Sequence, residues 1–155
     1  MKSPAPDSRE IVITRVFDAP RELVWQAWTD ARHLARWWGP HQFTNPVCEV
    51  DLRPGGAIRI VMRGPEGVDY PMGGNFREIV TPERLVMVTA ALNDKGRPMF
   101  EFLHRISFEE QGARTKLTIR SQVISQTGEA DHYIGGYEAG MTQSLERLAS
   151  LLAKA

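Results

Sequence analysis

The C-terminal stretch from Gly135 to Ala155 constrains the fold most, because it predicts the one long helix in a sequence that otherwise predicts mainly strands. Five apolar residues recur in this stretch at spacings of four, four, three and four: Tyr137, Met141, Leu145, Leu148 and Leu152. At about 100° per residue these side chains fall within an arc of roughly 80°, which predicts a helix with one apolar face. A lone helix of this kind must bury that face against another layer, and the rest of the chain offers a sheet.

A second pattern lies on one flank of the predicted helix. Gly136, Gly140 and Ser144 repeat every four residues, whereas Leu148 and Leu151 fill the same flank in the C-terminal half. Glycine in mid-helix is unfavourable by about 0.8–1 kcal/mol relative to alanine, so another demand should justify it. Either the helix backbone approaches a strand closely, or the flank borders a cavity. We expect the cavity, because the small residues leave a gap that extends over two turns.

Strand and helix signals follow one another in a fixed order before this helix. Residues 1–10 are polar and contain prolines, which predicts a disordered arm, and residues 11–155 are expected to form one domain. Ile11 to Phe17 is rich in β-branched residues and predicts a strand. Pro20 and Asp30 then suit the starts of two short helices, whose span holds all four tryptophans. We expect the tryptophans to anchor these helices to the sheet rather than to bind an aromatic ligand.

From Phe43 onward the apolar period changes to two, and turn sequences separate six further strands. Gly73 and Gly74 predict a bulge or bend within one of them. Sequential hairpins imply a mainly antiparallel sheet. The sequence therefore predicts an α+β fold, in which a curved sheet of about seven strands wraps around the C-terminal helix.

Several local runs resemble the helix-grip fold of the START-like (SRPBCC) superfamily, and most closely the branch named after the activator of the heat-shock protein 90 ATPase. The runs are Phe17-Asp-Ala-Pro20, Ala27-Trp-Thr-Asp30, Trp37-Trp-Gly-Pro40, Asp51-Leu-Arg-Pro-Gly-Gly56 and Pro82-Glu-Arg-Leu85. The resemblance covers residues 11 to 153 and implies the fold more strongly than a function, because such folds host unrelated activities. Relatives include lipid and polyketide binders, polyketide cyclases, dehydratases and a chaperone activator domain.

Composition and motifs argue against several function classes. The chain has 155 residues and a formal net charge of zero, without the basic footprint of a nucleic-acid-binding protein. No nucleophile elbow, phosphate loop or metal-ligand spacing occurs, so we expect no metal and no cofactor. The N-terminus does not resemble a signal peptide and no apolar run could span a membrane. The single cysteine fits a reducing compartment, and we expect a cytoplasmic protein, either monomer or homodimer.

His104 is the most informative titratable residue, because it shares the inward parity of Phe100, Phe102 and Ile106. It is either a hydrogen-bonded core group or a pocket acid, base or hydrogen-bond donor whose pKa is moved by burial. Together with residues of the same inward faces it gives a candidate ligand-binding set, while catalytic residues remain unassigned. The set is Trp38, Cys48, Tyr70, Met72, Phe76, Met87, Phe102, His104, Tyr133, Gly136, Tyr137, Gly140 and Met141.

Two functions are compatible with these patterns. The first is binding of a hydrophobic or aromatic small molecule in a pocket between the sheet and the last helix, with general acid–base chemistry on that molecule as an option. The second is a protein-interaction module that acts as a co-factor of the heat-shock protein 90 chaperone, in which the interior is only core.

Overall fold

The computed structural model describes the backbone of residues 10–126 and 131–154, and the side chains of residues 10–125 and 136–154. The arm predicted for residues 1–10 lies outside the described residues, apart from Glu10, which begins the first strand. None of the described helices is long and apolar enough to span a membrane.

Among the described residues, seven strands and three helices follow the predicted order. The elements are β1 (Glu10–Phe17), α1 (Arg21–Thr29), α2 (Ala31–Leu34), β2 (Thr44–Val50), β3 (Ala57–Arg63), β4 (Asp69–Val80), β5 (Arg84–Leu92), β6 (Pro98–Gln111), β7 (Arg114–Gln126) and α3 (Asp131–Ala153). The strands form one antiparallel sheet in the order β1-β7-β6-β5-β4-β3-β2. This arrangement confirms the α+β helix-grip fold.

The alternating pattern of β6 sets which face of the sheet is covered. Phe100, Phe102, His104, Ile106 and Phe108 are all buried, while the residues between them are more exposed. Successive side chains of a strand point to opposite faces, so one apolar face results from the sequence alone. The long helix α3 and the two short helices lie on this face, because the core cluster joins them to the sheet.

The apolar stripe of α3 is buried as its spacing predicts. Met141, Leu145 and Leu148 are 6%, 1% and 0% exposed, whereas Tyr137 and Leu152 are half-buried at the two ends of the stripe. Burying side chains of this size contributes about 1.5–3 kcal/mol each, which compensates for the weak intrinsic helix propensity of the glycines. The C-terminal half of α3 is therefore the well-packed half.

The four tryptophans pack between the two short helices and the sheet and form part of the main core. The Trp28 ring lies 4.8 Å from the Trp37 ring and 6.1 Å from the Trp38 ring, both in edge-to-face geometry. The indole nitrogen of Trp37 donates a hydrogen bond to the carbonyl of Ala27 at 2.9 Å. These contacts tie α1 and the segment after α2 to each other and to the sheet, as the anchoring interpretation requires.

The irregularity of β4 lies at a different place from the one predicted. Gly73 and Gly74 pair in regular register with both neighbouring strands, and the register shifts instead between Phe76 and Glu78. Gly74 is still needed, because a Cβ there would overlap the carbonyl oxygen of Val88 on β5. The glycine therefore marks a close approach of two strands, which is the other common reason for glycine inside a strand.

Candidate functional site

A cavity of about 890 Å³ opens between the N-terminal half of α3 and the inward face of β3 to β6. The segment that follows α2 closes one side of it, and the turn between β5 and β6 borders its mouth. The cavity occupies the half of α3 that carries the small residues, whereas the leucines of the other half pack in the core. Its size falls within the range of small-molecule sites in proteins.

Most of the predicted ligand-binding residues line this cavity. The structure brings together residues from the segment after α2, from strands β4 and β6, and from α3. They are Trp38, Tyr70, Met72, Phe102, His104, Gly136, Tyr137, Gly140 and Met141. The side chain of Tyr133 lies outside the described residues.

Three predicted residues lie elsewhere in the core. Phe76 and Met87 form a cross-strand pair that borders a separate void of about 10 Å³ beside Trp28. Cys48 faces Ile60 on the edge strand pair and is half-buried against the core. All three have the inward parity that the sequence indicated. Parity predicts which face of the sheet a side chain lies on but not where along the strand the cavity is, and Trp28 and Trp38 lie beside Phe76 and Met87.

The small-residue flank of α3 borders open space rather than a strand. A Cβ added at Gly136 would meet no atom within 4 Å outside its own helical surroundings. A Cβ at Gly140 would meet only the Cγ of Pro40, at the ordinary contact distance of 3.8 Å. Both glycines line the cavity. The observed distances thus favour the cavity alternative over close backbone packing.

Four uncharged polar side chains are linked by hydrogen bonds at the inner end of the cavity. The Nε2 atom of His104 lies 2.9 Å from the Thr89 hydroxyl, and its Nδ1 atom lies 2.7 Å from the Ser121 hydroxyl. The Ser121 hydroxyl lies 2.7 Å from the Tyr137 hydroxyl, which is also 3.3 Å from His104 Nδ1. We call these four residues the polar chain; Thr89, His104 and Tyr137 line the cavity, and Ser121 lies fully buried behind them.

Burial keeps the polar chain neutral. His104 is 4% exposed, and desolvation lowers its pKa from 6.5 to about 4. Desolvation also raises the pKa of the Tyr137 hydroxyl above its usual value of 10, although the hydrogen bond with Ser121 opposes that shift. A buried environment penalises whichever form of a group is charged, which is the imidazolium for histidine and the phenolate for tyrosine. At neutral pH the inner end of the cavity therefore presents hydrogen-bonding groups without a formal charge.

Aromatic rings form a flat wall beside the polar chain. The Phe102 ring is 4.4 Å from the Tyr137 ring at 31°, and 5.4 Å from the His104 ring at 24°. Phe100 adds an edge-to-face contact with Phe102 at 5.4 Å. Offset and edge-to-face ring contacts contribute about 0.5–1.5 kcal/mol beyond area burial. The wall is suited to contact with a planar apolar group.

Formal charge among the described lining residues is confined to the mouth of the cavity. The charged residues there are Asp69, Asp94, Lys95 and Arg97, all of them exposed. Asp69 accepts hydrogen bonds from Arg63 at 2.7 and 3.2 Å. These bonds hold the pKa of the Asp69 carboxyl below its usual value, although desolvation acts in the opposite direction. The cavity thus runs from a charged, solvated rim to a neutral interior.

The segment that closes the cavity is held on α3 by Ser144, which the sequence marked only as a small residue, and by Arg147, and neither is in the predicted ligand-binding set. The Ser144 hydroxyl accepts a hydrogen bond from the backbone N–H of Gly39 at 2.9 Å. The Arg147 guanidinium donates to the carbonyls of Trp38, Gly39 and Pro40 at 2.9, 3.0 and 3.1 Å, and its other terminal nitrogen donates to the carbonyl of a fourth residue, Arg36. Arginine can satisfy several carbonyls at once because its donors are arranged as a rigid fork.

Gly39 adopts a backbone conformation that favours glycine at this junction. Its φ is +96°, in the left-handed region, and a Cβ there would come within 3.0 Å of the Met62 sulfur. Only glycine readily adopts such a φ without strain. The Gly39-Pro40 pair therefore lets the chain that leaves α2 turn and lie against α3, where it forms part of the cavity wall.

Other lining residues were missed because no residue signal distinguishes them. Thr89 and Ala91 of β5 have inward parity within an apolar run, where they read as ordinary core positions. The centroids of the Phe43 and Tyr70 rings lie 5.9 Å apart, although the two residues are far apart in sequence. Strand parity would have identified Thr89 and Ser121 as polar groups beside His104, had the pairing of β5, β6 and β7 been known.

A family model described as Activator of Hsp90 ATPase homolog 1-like protein matches residues 18–153 of this sequence. The chain belongs to this family. The match runs from the residue after β1 to the end of α3 and confirms the resemblance drawn from the local runs. A search of the curated proteins returned no match.

Solved structures of bacterial proteins share the fold over almost the whole chain. A protein from Chromobacterium violaceum is 30% identical, with a TM-score of 0.75, and the alignment covers 92% of this chain and 96% of that one. A protein from Nitrosomonas europaea is 28% identical, with a TM-score of 0.76 and 94% of each chain covered. A protein from Arthrobacter aurescens is 28% identical, with a TM-score of 0.82, covering 94% of this chain and 87% of that one.

Clusters that could hold a metal ion are not found among the described residues: no three histidine, cysteine, aspartate or glutamate side chains converge there. The Cys48 thiol is a poor ligand and nucleophile at neutral pH, because burial, with a smaller contribution from Glu49, raises its pKa to about 11. The described lining residues offer hydrogen bonding and apolar contact.

Proposed function

We propose that this protein binds a small hydrophobic or aromatic molecule in the cavity between α3 and the sheet. The observation that carries the proposal is the combination of a large apolar space with one cluster of uncharged polar groups at its inner end. Such sites typically use a mainly apolar lining for affinity and a few convergent polar groups for orientation. The small residues of α3 support it, because Gly136 and Gly140 keep open a space that alanine or leucine would narrow.

Binding is better supported than general acid–base catalysis. A histidine whose pKa is about 4 stays unprotonated at pH 7, and Tyr137 stays protonated because its pKa is raised. An efficient general acid or base has a pKa near the working pH, which neither group has in this state. Both groups remain well placed to donate or accept a hydrogen bond.

The experiment uses the neutral fluorescent probe N-phenyl-1-naphthylamine and native mass spectrometry of freshly purified protein. We expect the probe to bind with an increase in fluorescence, and a co-purified small molecule to appear as a discrete mass increment. Gly136→Trp should block the cavity and weaken probe binding by at least about tenfold, since added bulk there enters open space. Ala139→Trp, at an exposed position of the same helix, is the matched control and should bind normally.

Failure of the probe to bind the folded wild-type protein would argue against the proposal, and so would equal binding by both tryptophan variants. The first result would mean that the cavity does not accept apolar ligands. The second would mean that the probe occupies a different surface.

The name of the family motivates a second function, that of a co-factor of the heat-shock protein 90 chaperone. Stimulation of the ATPase of the purified chaperone by this protein would support it. If stimulation is retained in Gly136→Trp, chaperone activation and cavity binding are separate properties of the fold.

A further inference from the structure

The polar chain holds one more proton than its short contacts require. Thr89, His104, Ser121 and Tyr137 are joined in that order by three contacts of 2.9, 2.7 and 2.7 Å. Each of the three hydroxyl groups carries one proton, and a neutral imidazole carries one on either ring nitrogen. Four protons therefore serve three contacts, so one O–H at an end of the chain is left to donate elsewhere.

The position of the imidazole proton decides which end has the spare donor. With the proton on Nδ1, the ring donates to Ser121, Ser121 donates to Tyr137, and Thr89 donates to Nε2; the Tyr137 O–H is then free. With the proton on Nε2, every bond reverses: the ring donates to Thr89, Ser121 donates to Nδ1, and Tyr137 donates to Ser121. In that state the Tyr137 oxygen offers only lone pairs, and the spare donor is the Thr89 hydroxyl.

We propose that the cavity selects uncharged ligands carrying a single hydrogen-bonding group on an apolar body, and that the polar chain reverses direction to match a donor or an acceptor at Tyr137. This inference rests on the proposed ligand-binding function. A carbonyl group at Tyr137 selects the state with the proton on Nδ1, and a hydroxyl donor selects the state with the proton on Nε2. Going from the first state to the second, each bonded proton crosses its own hydrogen bond toward Tyr137, and the outer Tyr137 proton passes through water in the cavity to Thr89, which has given up its own proton to Nε2; the reverse change runs in the opposite direction, and the net charge is zero in both states.

The selection against charged ligands follows from what surrounds the polar chain. Among the described lining residues, an anion or cation that enters the inner end loses its hydration and meets aromatic rings and neutral hydroxyls, since the charged ones lie at the mouth. Burying a charge without a partner is far more costly than burying a group that forms one neutral hydrogen bond. His104 cannot compensate by becoming protonated near pH 7, because its pKa is about 4.

The test compares four naphthalenes that differ only in the 2-substituent: 2-ethylnaphthalene as the apolar reference, 2-acetylnaphthalene as acceptor, 2-naphthol as donor and 2-naphthoate as anion. Affinities are measured at pH 7 by displacement of N-phenyl-1-naphthylamine. We expect the acceptor and the donor to bind about fivefold or more tightly than the reference, and the anion about tenfold or more weakly than either. In Tyr137→Phe, both neutral polar ligands should fall to the affinity of the reference, whose own binding is unchanged.

Long-range proton–nitrogen NMR of the imidazole gives a readout that a merely structural polar chain would not change. The His104 signals are assigned by comparison with His104→Gln. The proton should sit on Nδ1 with 2-acetylnaphthalene bound and on Nε2 with 2-naphthol bound. The same tautomer in both complexes would overturn the reversal.

The remaining outcomes separate this inference from the proposal beneath it. If 2-ethylnaphthalene binds as tightly as the two neutral polar ligands, or if 2-naphthoate binds equally well, the cavity binds ligands but the polar chain does not select them, and this inference is wrong. If none of the four binds to the folded protein, the ligand-binding function itself fails. The two failures are therefore distinguishable in one series of measurements.

Discussion

Gly140→Leu tests whether the small residues of α3 exist to keep a cavity open. A Cβ at this position meets only Pro40 at 3.8 Å, so a side chain begins without a clash and extends along the cavity wall. Replacing a mid-helix glycine by a good helix former gains about 0.7–1 kcal/mol from propensity alone. Partial burial of the leucine adds to this gain, because the methyl groups leave water for an apolar space.

We therefore expect Gly140→Leu to raise the free energy of unfolding by about 0.5–1.5 kcal/mol and to lower the affinity for N-phenyl-1-naphthylamine at least about fivefold. Urea denaturation followed by tryptophan fluorescence measures the first quantity, and fluorescence titration the second. Ala139→Leu adds the same side chain at an exposed position of α3 and should change neither quantity appreciably.

Two results would refute this reasoning in different ways. A loss of stability of about 1–3 kcal/mol is the signature of overpacking and would mean that the flank contacts other atoms tightly. A stable variant that binds the probe as well as the wild type would mean that ligands do not use this part of the cavity.

Three further predictions concern groups around the cavity. The pKa of His104 falls from 6.5 to about 4 on folding, so the unfolded chain binds more protons than the folded protein between those pH values. Lowering the pH from 8 to 5 should therefore reduce the free energy of unfolding by roughly 2 kcal/mol. Urea titrations should show that His104→Gln removes this loss and that His41→Gln retains it. Arg147→Ala should destabilise the protein by about 2–3 kcal/mol, because the backbone carbonyls lose a charged donor. Arg147→Lys should recover only part of this loss. Full recovery would show that the forked geometry of the guanidinium is unimportant. Cys48, whose pKa is about 11, should react with a thiol reagent at pH 7.5 only when the protein is unfolded in urea, and rapid labelling of the native protein would contradict this.

The fold was predictable because its signals are periodic. The 3.6-residue stripe of α3 and the two-residue alternation of β6 each depend on local geometry, and the core residues that they indicated are buried. The Gly73-Gly74 pair misled for a physical reason: glycine in a strand signals either a bulge or a close approach. Here it was the close approach of Gly74 to β5. A local pattern cannot distinguish those two causes.

The site was only partly predictable because it depends on contacts between distant residues. Parity placed His104 on the inner face, but its partners Thr89, Ser121 and Tyr137 come from two other strands and from α3. Each of these residues alone reads as an ordinary strand or helix position. Their chemistry appears only when strand pairing sets the four side chains side by side.

The division of the interior into a filled half and an open half follows from how large side chains are distributed along the chain. All four tryptophans fall in or just after α1 and α2, which cover one end of the sheet, and the leucines of α3 pack over the same core. Toward the other end of the sheet α3 carries Gly136, Gly140 and Ser144. The loop that covers this end follows directly on the packed Trp37 and Trp38 and is held on α3 by hydrogen bonds to Ser144 and Arg147. Stability is thereby concentrated away from the cavity, so the cavity end can stay open without loss of the fold. A domain built in this way can change its ligand by substitutions at the open end while the tryptophan end continues to hold the sheet and helices together.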